Sequence, residues 1–456
     1  MTATRKQPEA KPGWAAAWLF LGVLLVYLAT AAGHITSSDG HTVFVLTESL
    51  LERRTVAVPE GNAEIGPDGR LYPKAGLGLA VASAPFYAAG RLAATAVDPG
   101  LRTFVVKGVT SLWSPFAGAL TALLLFWIFL ELGLTPRESV VLTLVGAFGT
   151  PLWVYARLFL AESALALGLT LLLYGLVRAH RGGGAGAGLA VGAGLGFAVL
   201  TKYAILPAAL LLGAAALPAL RRPKFALAAV LSALAFLAVA GLYNEARTGS
   251  WLASGYGRQG TMAAFTTPIL IGLFGLLLSS GKGLLWFAPV LALVPASFVA
   301  WRRREPVLAL AAFAAVVFTI CLYATFEHWA GDGSWGPRYL VPLVPLLLVA
   351  VGARLSERTL PRPRAWWIAV VALGLAGVAV QKGGVFIAVG AEMREVGDYP
   401  YTLPLSDPRF MSDSHWNPYY APIAVHWRMP CRDSLVSGLE PTSRRGTASR
   451  RRRSTV

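Results

Sequence analysis

Charged residues are scarce in this sequence, and cysteine is nearly absent. Of the 456 residues, 14% are charged and 55% are hydrophobic, whereas soluble domains average about 25% charged residues. This composition excludes an ordinary soluble enzyme and an intrinsically disordered chain. The two cysteines, Cys321 and Cys431, lie far apart in the sequence, so neither a disulfide framework nor a cysteine-based metal site is indicated.

Acidic residues are also few. There are 23 of them against 40 Lys and Arg, which gives a formal net charge of +17. In a soluble protein such an excess suggests a nucleic-acid partner. Here the basic residues lie mainly in short segments between apolar runs, as they do at the cytoplasmic flanks of membrane helices. We therefore expect membrane lipids, and no nucleic acid, to be the partner of this charge.

Eleven apolar segments are long enough to cross a bilayer, which takes about 20 residues each. The first, 14–33, is too long for the core of a signal peptide and is interpreted as a retained helix. A further apolar stretch, 75–97, contains Pro85 and Arg91 and is interpreted as an interfacial helix. The eleven segments are 14–33, 103–131, 139–156, 161–177, 184–201, 203–220, 225–243, 283–301, 306–326, 338–353 and 365–382. We therefore predict an all-α polytopic membrane bundle of about 11 transmembrane helices.

The distribution of basic residues orients this bundle. With the N-terminus in the cytoplasm, the inner segments hold sixteen Lys and Arg in 44 residues, whereas the first outer loop, 34–102, holds six in 69. This is the asymmetry expected of short loops. We predict a multi-pass protein of the cytoplasmic (inner) membrane, with its acidic residues and its active site on the outer face. Its predicted parts are a cytoplasmic N-terminus (1–13), a transmembrane domain (14–382), an outer-face C-terminal segment (383–430) and an Arg-rich disordered tail (431–456).

Two charged residues of the first outer loop are candidates for chemistry. Asp39 follows the first helix, where a carboxylate suits a general base acting on an acceptor hydroxyl. Asp39 followed by Gly40 is equally typical of a helix N-cap. No second acid lies beside Asp39, so an Asp-x-Asp metal-binding motif is missing.

Lys74 follows a Gly-Pro-Asp-Gly turn. It is suited either to neutralise a phosphate or to extend to the lipid headgroups.

Three further candidates lie at predicted helix boundaries. Pro151 is expected to break a helix near the outer surface. Arg157 and Glu162 then lie where they either pair with each other or face a cavity. Lys202 separates two short apolar runs, and the same alternatives apply to it.

The later outer loops contribute five candidates. Tyr256 lies among glycines and is suited to stack on a sugar ring, with Arg258 meeting a phosphate; an aromatic belt at the interface explains the ring equally well. Lys282 lies in a short Gly-flanked turn that is a weak signal for an anion site. Asp332 and Arg338 lie in a loop crowded with polar and tryptophan side chains, and a ligand role is expected for one of them.

Taken in order, these motifs resemble the membrane-embedded glycosyltransferases of the GT-C superfamily. The sequence is similar in particular to bacterial relatives of the family 39 dolichyl-phosphate-mannose protein mannosyltransferases and of the aminoarabinose transferase that modifies lipid A. The resemblance covers nearly all of 14–430. It is carried by Ser38-Asp39, Tyr72-Pro73-Lys74-Ala75-Gly76-Leu77-Gly78, Tyr155-Ala156-Arg157 with Glu162, Leu200-Thr201-Lys202, Gly255-Tyr256-Gly257 and Trp335-Gly336-Pro337-Arg338-Tyr339.

The resemblance implies a hexosyl- or pentosyltransferase. It would move a sugar, with inversion, from a polyprenyl-phosphate donor to a lipid, glycan or protein acceptor at the outer face, with Asp39 as the general base. Many relatives carry a second acid where Gly40 stands, and often Arg where Lys202 stands, so the use of a divalent cation and the metal ligands stay open. The expected substrate-binding residues are Lys74, Arg157, Glu162, Lys202, Tyr256, Arg258, Lys282, Asp332 and Arg338.

Two other classes of function stay open on the sequence alone. Charges between broken helices also mark transport paths, which would suit a transporter or flippase of a lipid-linked or anionic substrate. The sequence shows no inverted repeat, and its polar residues gather at one face instead of the midplane. The missing second acid favours a third alternative, a catalytically silent scaffold of the same fold.

Overall fold

The structure, a computed structural model, describes residues 13–331, 333–357, 363–388 and 412–429. Helices dominate these ranges, and one antiparallel hairpin pairs β1 (Ala63–Ile65) with β2 (Leu71–Pro73). The α-helices are α1 (Gly13–Ala29), α2 (Ser38–Glu48), α3 (Leu77–Ala93), α4 (Arg102–Ser111), α5 (Trp113–Glu131), α6 (Pro136–Phe148), α7 (Leu152–Arg157), α8 (Ala161–His180), α9 (Ala185–Thr201), α10 (Leu206–Gly213), α11 (Pro223–Thr248), α12 (Ile269–Leu277), α13 (Leu284–Phe287), α14 (Val294–Arg304), α15 (Pro306–Thr325), α16 (Val344–Leu355), α17 (Pro363–Phe386), α18 (Ser412–Trp416) and α19 (Pro422–Arg428).

Short 3₁₀ and π-helical segments extend several of these α-helices. A π-helical turn, Ser49–Arg53, continues α2. Prolines lie in several of the 3₁₀ segments, where the ring removes a backbone donor. The 3₁₀ segments are Ala94–Ala96, Pro99–Leu101, Tyr203–Ile205, Ala214–Arg221, Gly257–Gly260, Met262–Ala264, Pro289–Leu293 and Arg338–Leu343.

Each of the eleven predicted apolar segments is helical, and the fold class predicted from the sequence is confirmed. By length and composition, eight helical runs among the described residues are long and apolar enough to cross a membrane. They are Leu77–Ala96, Pro99–Glu131, Ala161–His180, Tyr203–Arg221, Pro223–Thr248, Pro306–Thr325, Arg338–Leu355 and Pro363–Phe386.

The count of eleven spans is not confirmed, for three structural reasons. The helices α1 and α9 are apolar but only 17 residues long. The predicted segment 139–156 is divided by a turn into α6 and α7, and 283–301 is divided by the 3₁₀ segment Pro289–Leu293 into α13 and α14. The run Leu77–Ala96, which we assigned to the interface, meets the length and hydropathy criteria of a span. The predicted tail 431–456 lies outside the described residues.

Glycines bring α9 into close contact with its two neighbours. A Cβ added at Gly192 would lie 2.1 Å from the carbonyl oxygen of Ala229 in α11, and one at Gly194 would lie 2.3 Å from the amide nitrogen of Leu172 in α8. Small residues of this kind allow helix backbones to approach closely within a bilayer. This packing fixes the end of α9, where Lys202 follows.

The start of α2 determines where Asp39 lies. The hydroxyl of Ser37 accepts a hydrogen bond from the Gly40 amide at 3.0 Å, so Ser37, and not Asp39, is the N-cap. Asp39 lies in the first turn with its carboxylate free to point elsewhere. A Cβ at Gly40 would lie 2.4 Å from the carbonyl oxygen of Phe159. Packing of α2 against the loop between α7 and α8 therefore leaves no room for a second acidic side chain directly after Asp39.

Replacement of Gly40 by alanine tests this packing. We expect Gly40→Ala to lower the free energy of unfolding by about 1–3 kcal/mol, because the new methyl group meets a backbone atom that cannot rotate away. The measurement is the thermal unfolding midpoint of purified protein in detergent. Gly186→Ala, where an added Cβ meets nothing within 4 Å, is the matched control and should not lower the midpoint. Equal midpoints for the two variants would contradict the close contact.

Candidate active site

A cavity of about 230 Å³ lies where the ends of several helices meet the first loop. Five of the residues predicted from the sequence line it: Asp39, Lys74, Lys202, Tyr256 and Arg338. They come from α2, the end of the hairpin, the end of α9, the loop after α11 and the segment leading to α16. Further polar residues of the lining are Asn62, Thr201, Gln259, His328 and Tyr339.

Arg338 forms the central ion pairs of the cavity. Its Nη2 donates to Oδ2 of Asp39 at 2.7 Å, and its Nε donates to Oε1 of Glu162 at 2.7 Å. The Glu162 side chain is 1% exposed and that of Asp39 is 43% exposed. The other carboxylate oxygen of Glu162 has no hydrogen-bond partner among the described residues. Glu162 therefore depends on Arg338 to compensate its buried charge, whereas Asp39 is the exchangeable partner.

The electrostatic surroundings of Asp39 favour its ionised form. Burial raises the pKa of the Asp39 carboxyl, but several interactions oppose this effect. They are the charge and hydrogen bond of Arg338, the charge of Lys202 and a hydrogen bond from Asn62. The net result is a pKa below the ordinary value, so Asp39 is a carboxylate at neutral pH and, while paired, a weak base.

Lys202 lies against two stacked tyrosine rings at the break between α9 and the next helical segment. Its backbone is extended (φ −152°, ψ 109°), and its Nζ lies 4.6 Å from the ring centroid of Tyr339 and 5.3 Å from that of Tyr323. The two rings are parallel, with centroids 4.2 Å apart. An ammonium over aromatic faces is stabilised electrostatically. The rings thus hold this cation at the cavity without neutralising its charge.

Two glycines bring the start of α3 against the end of α9. A Cβ at Gly76 would lie 2.3 Å from the carbonyl oxygen of Thr201, and one at Gly78 would lie 2.3 Å from the Thr201 hydroxyl. This close approach explains the Gly-x-Gly spacing that follows Lys74 in the sequence. The Nζ of Lys74 lies 3.0 Å from Oε1 of Glu64, and its side chain is 22% exposed. Lys74 and Lys202 therefore lie on adjoining parts of one cavity wall.

Tyr256 reaches the cavity from the loop after α11. Burial raises the pKa of the Tyr256 hydroxyl, and the charge of Lys202 partly opposes the rise. The phenol is therefore neutral at physiological pH and available as a hydrogen-bond donor. Gly255 and Gly257, on either side, have φ of +66° and +54°, which only glycine adopts readily.

Besides Glu162, the predicted substrate-binding residues Arg157 and Arg258 lie away from the cavity lining. Arg157 donates to the carbonyl oxygens of Thr30 at 3.1 Å and Gly384 at 3.5 Å, so it joins the end of α1 to α17 instead of pairing with Glu162. Arg258 forms an ion pair with the buried carboxylate of Glu327 at 3.2 Å.

The other two candidates differ in what the structure describes. The Nζ of Lys282 is buried and donates to the carbonyl oxygen of Ser334 at 2.6 Å, which supports the loop that precedes Arg338. Asp332 lies outside the described residues.

Sequence reasoning missed several residues that shape the cavity. Asn62, Gln259 and Tyr323 line it, and Glu64 pairs with Lys74. None belongs to a recognisable motif. Glu64 meets Lys74 across the hairpin, and Asn62, Gln259 and Tyr323 reach the cavity from segments distant from one another in sequence. Within the described ranges there is no group of three or more His, Cys, Asp or Glu suited to a metal ion. The carboxylate of Asp39 instead faces an arginine.

Part of the sequence and the fold as a whole are similar to those of known proteins. Residues 104–233 match the model of the dolichyl-phosphate-mannose-protein mannosyltransferase family. No curated protein sequence matches significantly. The structure is similar to that of ArnT from Cupriavidus metallidurans bound to undecaprenyl phosphate, with a TM-score of 0.51 and 15% identity over 91% of this chain and 75% of that chain.

A second solved structure shares the fold. The oligosaccharyltransferase from Archaeoglobus fulgidus in its apo form matches with a TM-score of 0.50 and 11% identity, over 92% of this chain and 63% of that chain. At such identities the likeness is one of fold. The protein is a multi-pass membrane protein with the GT-C fold, and its residues 104–233 carry the sequence pattern of the dolichyl-phosphate-mannose-protein mannosyltransferases.

Proposed function

We propose that the protein is a glycosyltransferase that moves a sugar from a polyprenyl-phosphate donor to a hydroxyl of a lipid, glycan or protein acceptor. One observation carries the proposal: a single cavity gathers the carboxylate of Asp39 with the cations of Lys74, Lys202 and Arg338. A carboxylate can accept a proton from the acceptor, and the cations suit the phosphate that leaves. The solved ArnT structure with undecaprenyl phosphate supports this class of donor.

The proposed reaction is a single displacement at the anomeric carbon. Asp39 accepts the proton of the acceptor hydroxyl while the hydroxyl oxygen forms a bond to the anomeric carbon. At the same time, the bond from the anomeric carbon to the phosphate oxygen breaks. The phosphate leaves with the electron pair of that bond, and Lys74, Lys202 and Arg338 stabilise its growing negative charge. Attack opposite the leaving group inverts the configuration of the sugar.

Arg338 has to change partners during this cycle. In the free protein it pairs with Asp39, the proposed base, at 2.7 Å. A donor phosphate competes for the same guanidinium, because arginine binds phosphate and carboxylate with the same donors. The buried pair with Glu162 keeps Arg338 in place while Asp39 is released. Donor binding therefore turns a restrained carboxylate into a stronger base.

The lining of the cavity also suits the lipid part of the donor. Apolar side chains accompany the charged ones and offer contact area to the first prenyl units. They include Leu79, Phe265, Leu322 and Phe326.

The arrangement of basic residues supports an outer-face position for the site. The helix α8 runs from Ala161, which lines the cavity, to His180, about 28 Å further along its axis. At that far end Arg181 pairs with Glu305 at 3.2 Å, and Arg304 contacts Ala353. Loops rich in arginine are typical of the cytoplasmic side, and this supports the proposal that the cavity faces the opposite, outer side of the inner membrane.

Removal of one cation tests the phosphate site. We expect Lys74→Gln to weaken the binding of undecaprenyl phosphate by about 10- to 100-fold, since a charge-assisted hydrogen bond is lost. The measurement is the Kd for undecaprenyl phosphate with the protein in lipid nanodiscs. Arg70→Gln is the matched control, because Arg70 lies in the same loop, pairs with Asp68 at 3.6 Å and is outside the cavity. Equal affinities for both variants would contradict the phosphate site.

Replacement of the proposed base separates catalysis from binding. We expect Asp39→Asn to reduce kcat by about 10²- to 10⁴-fold, the usual contribution of a general base. The same variant should bind undecaprenyl phosphate at least as tightly as the wild type, because a competitor for Arg338 is removed. The assays are sugar transfer from radiolabelled polyprenyl-phosphate sugars and the nanodisc Kd. Undiminished turnover in this variant would refute the assignment of Asp39.

The exchange of partners predicts a specific pH dependence. The acid limb of kcat/KM reports Asp39 in the free enzyme, where Arg338 holds its pKa below the ordinary value. The acid limb of kcat reports the donor complex, where Arg338 is shared with an anion and the pKa of Asp39 rises. Activity is lost as pH falls below each pKa, so the kcat limb should lie at the higher pH. Initial rates between pH 3 and 7 measure both limbs. Coincident limbs would contradict the exchange.

A further inference from the structure

One arginine outside the cavity joins two of the segments that line it. Arg247 lies in the last turn of α11 and is 5% exposed. Its Nη1 donates to the carbonyl oxygens of Pro73 at 3.2 Å and Ala75 at 3.3 Å. Its Nη2 donates to the carbonyl oxygen of Ser254. One guanidinium therefore binds the backbone on both sides of Lys74 and the backbone two residues before Tyr256.

The guanidinium is itself held in a fixed orientation. Both Nε and Nη2 donate to Oδ1 of Asn244, at 3.2 and 2.7 Å. The plane lies over the ring of Tyr243, 4.5 Å from its centroid, and the Tyr243 hydroxyl donates to the carbonyl oxygen of Ala75 at 3.0 Å. Lysine cannot reproduce this arrangement, because a compact ammonium has three donors and no plane to stack.

The loop backbone is shaped to admit this side chain. Gly255 has a φ of +66°, and a Cβ added there would lie 2.5 Å from Nε and Cζ of Arg247. A Cβ at Gly257 would lie 2.6 Å from Oε1 of Glu64, the carboxylate that pairs with Lys74. Gly255 is thus required by its contact with Arg247, and Gly257 by its contact with the carboxylate that pairs with Lys74.

We propose that Arg247 is a positioning residue that sets the separation of Lys74 and Tyr256 and thereby holds Lys74 in the proposed phosphate site. It touches no substrate and acts through the two backbone segments that it binds. The proposal rests on the proposed function for the identity of the ligand, whereas the link between the two segments stands on the geometry alone.

The two consequences are measured separately. Hydrogen–deuterium exchange of the protein in nanodiscs reports the link without any ligand. In Arg247→Lys we expect faster exchange in peptides covering 73–77 and 253–257 together. Arg222→Lys is the matched control, because Arg222 precedes the opposite end of α11, donates to the carbonyl oxygen of Ala179 at 2.7 Å and stacks on Phe225. Unchanged exchange in both segments of Arg247→Lys would overturn the proposal.

The second measurement is a double-mutant cycle on the Kd for undecaprenyl phosphate. We expect Arg247→Lys to weaken binding about tenfold in the wild-type background and less than about twofold in the Lys74→Gln background. The reason is that the effects of substitutions at residues that act through one another are not additive. Gly255→Ala should give the same pattern by displacing the guanidinium. Equal losses in both backgrounds would overturn the action through Lys74.

The same data separate this proposal from the proposed function. A wild type that binds no undecaprenyl phosphate, with both segments loosened in Arg247→Lys, would refute the phosphate site and leave the positioning role supported. A wild type that binds well, with Arg247→Lys unchanged in Kd, would refute the positioning role alone. Thermal midpoints of all variants identify any loss that is due to unfolding.

Discussion

The pairing of Arg338 with two carboxylates is the interaction on which the rest of the site depends. Glu162 is almost fully buried and needs a compensating cation, and breaking such a buried pair typically costs about 3–5 kcal/mol. The same guanidinium holds Asp39 at the mouth of the cavity. One side chain thus joins the first turn of α2, the first turn of α8 and the segment before α16, and it determines both the charge and the shape of the cavity.

Close helix packing supplies the framework that this interaction requires. Gly40, Gly76 and Gly78 have no side chain, which lets α2 approach Phe159 and lets the start of α3 approach Thr201. The cost is that no second acid fits after Asp39. With no second carboxylate beside it, Asp39 is balanced by Arg338 and Lys202. This balance favours a mechanism in which the donor phosphate displaces the Asp39 carboxylate from Arg338 and so frees Asp39 to act as the base.

Much of the fold and part of the site follow from the sequence. Each of the eleven predicted hydrophobic runs is helical in the structure, since length and apolarity are local properties, whereas shorter helices such as α2 and α12 lie outside these runs. The five candidates that line the cavity are selected by two local signals: a charged residue near a helix end in a membrane is costly, and glycines allow close backbone approach. They are Asp39, Lys74, Lys202, Tyr256 and Arg338.

The remaining features depend on contacts between distant segments. The Glu162 partner, the tyrosine rings under Lys202 and the role of Arg247 are set by residues more than 100 positions away, so no local pattern reveals them. By contrast, the division of 139–156 falls at Pro151, as expected from the sequence, and Pro289 lies at the break in 283–301.

A cryo-electron microscopy structure of the protein in nanodiscs with undecaprenyl phosphate would test the proposed site directly. We expect a phosphate within hydrogen-bond distance of Lys74 and Arg338, with Asp39 released from Arg338. A phosphate bound elsewhere, with the pair of Asp39 and Arg338 intact, would contradict it.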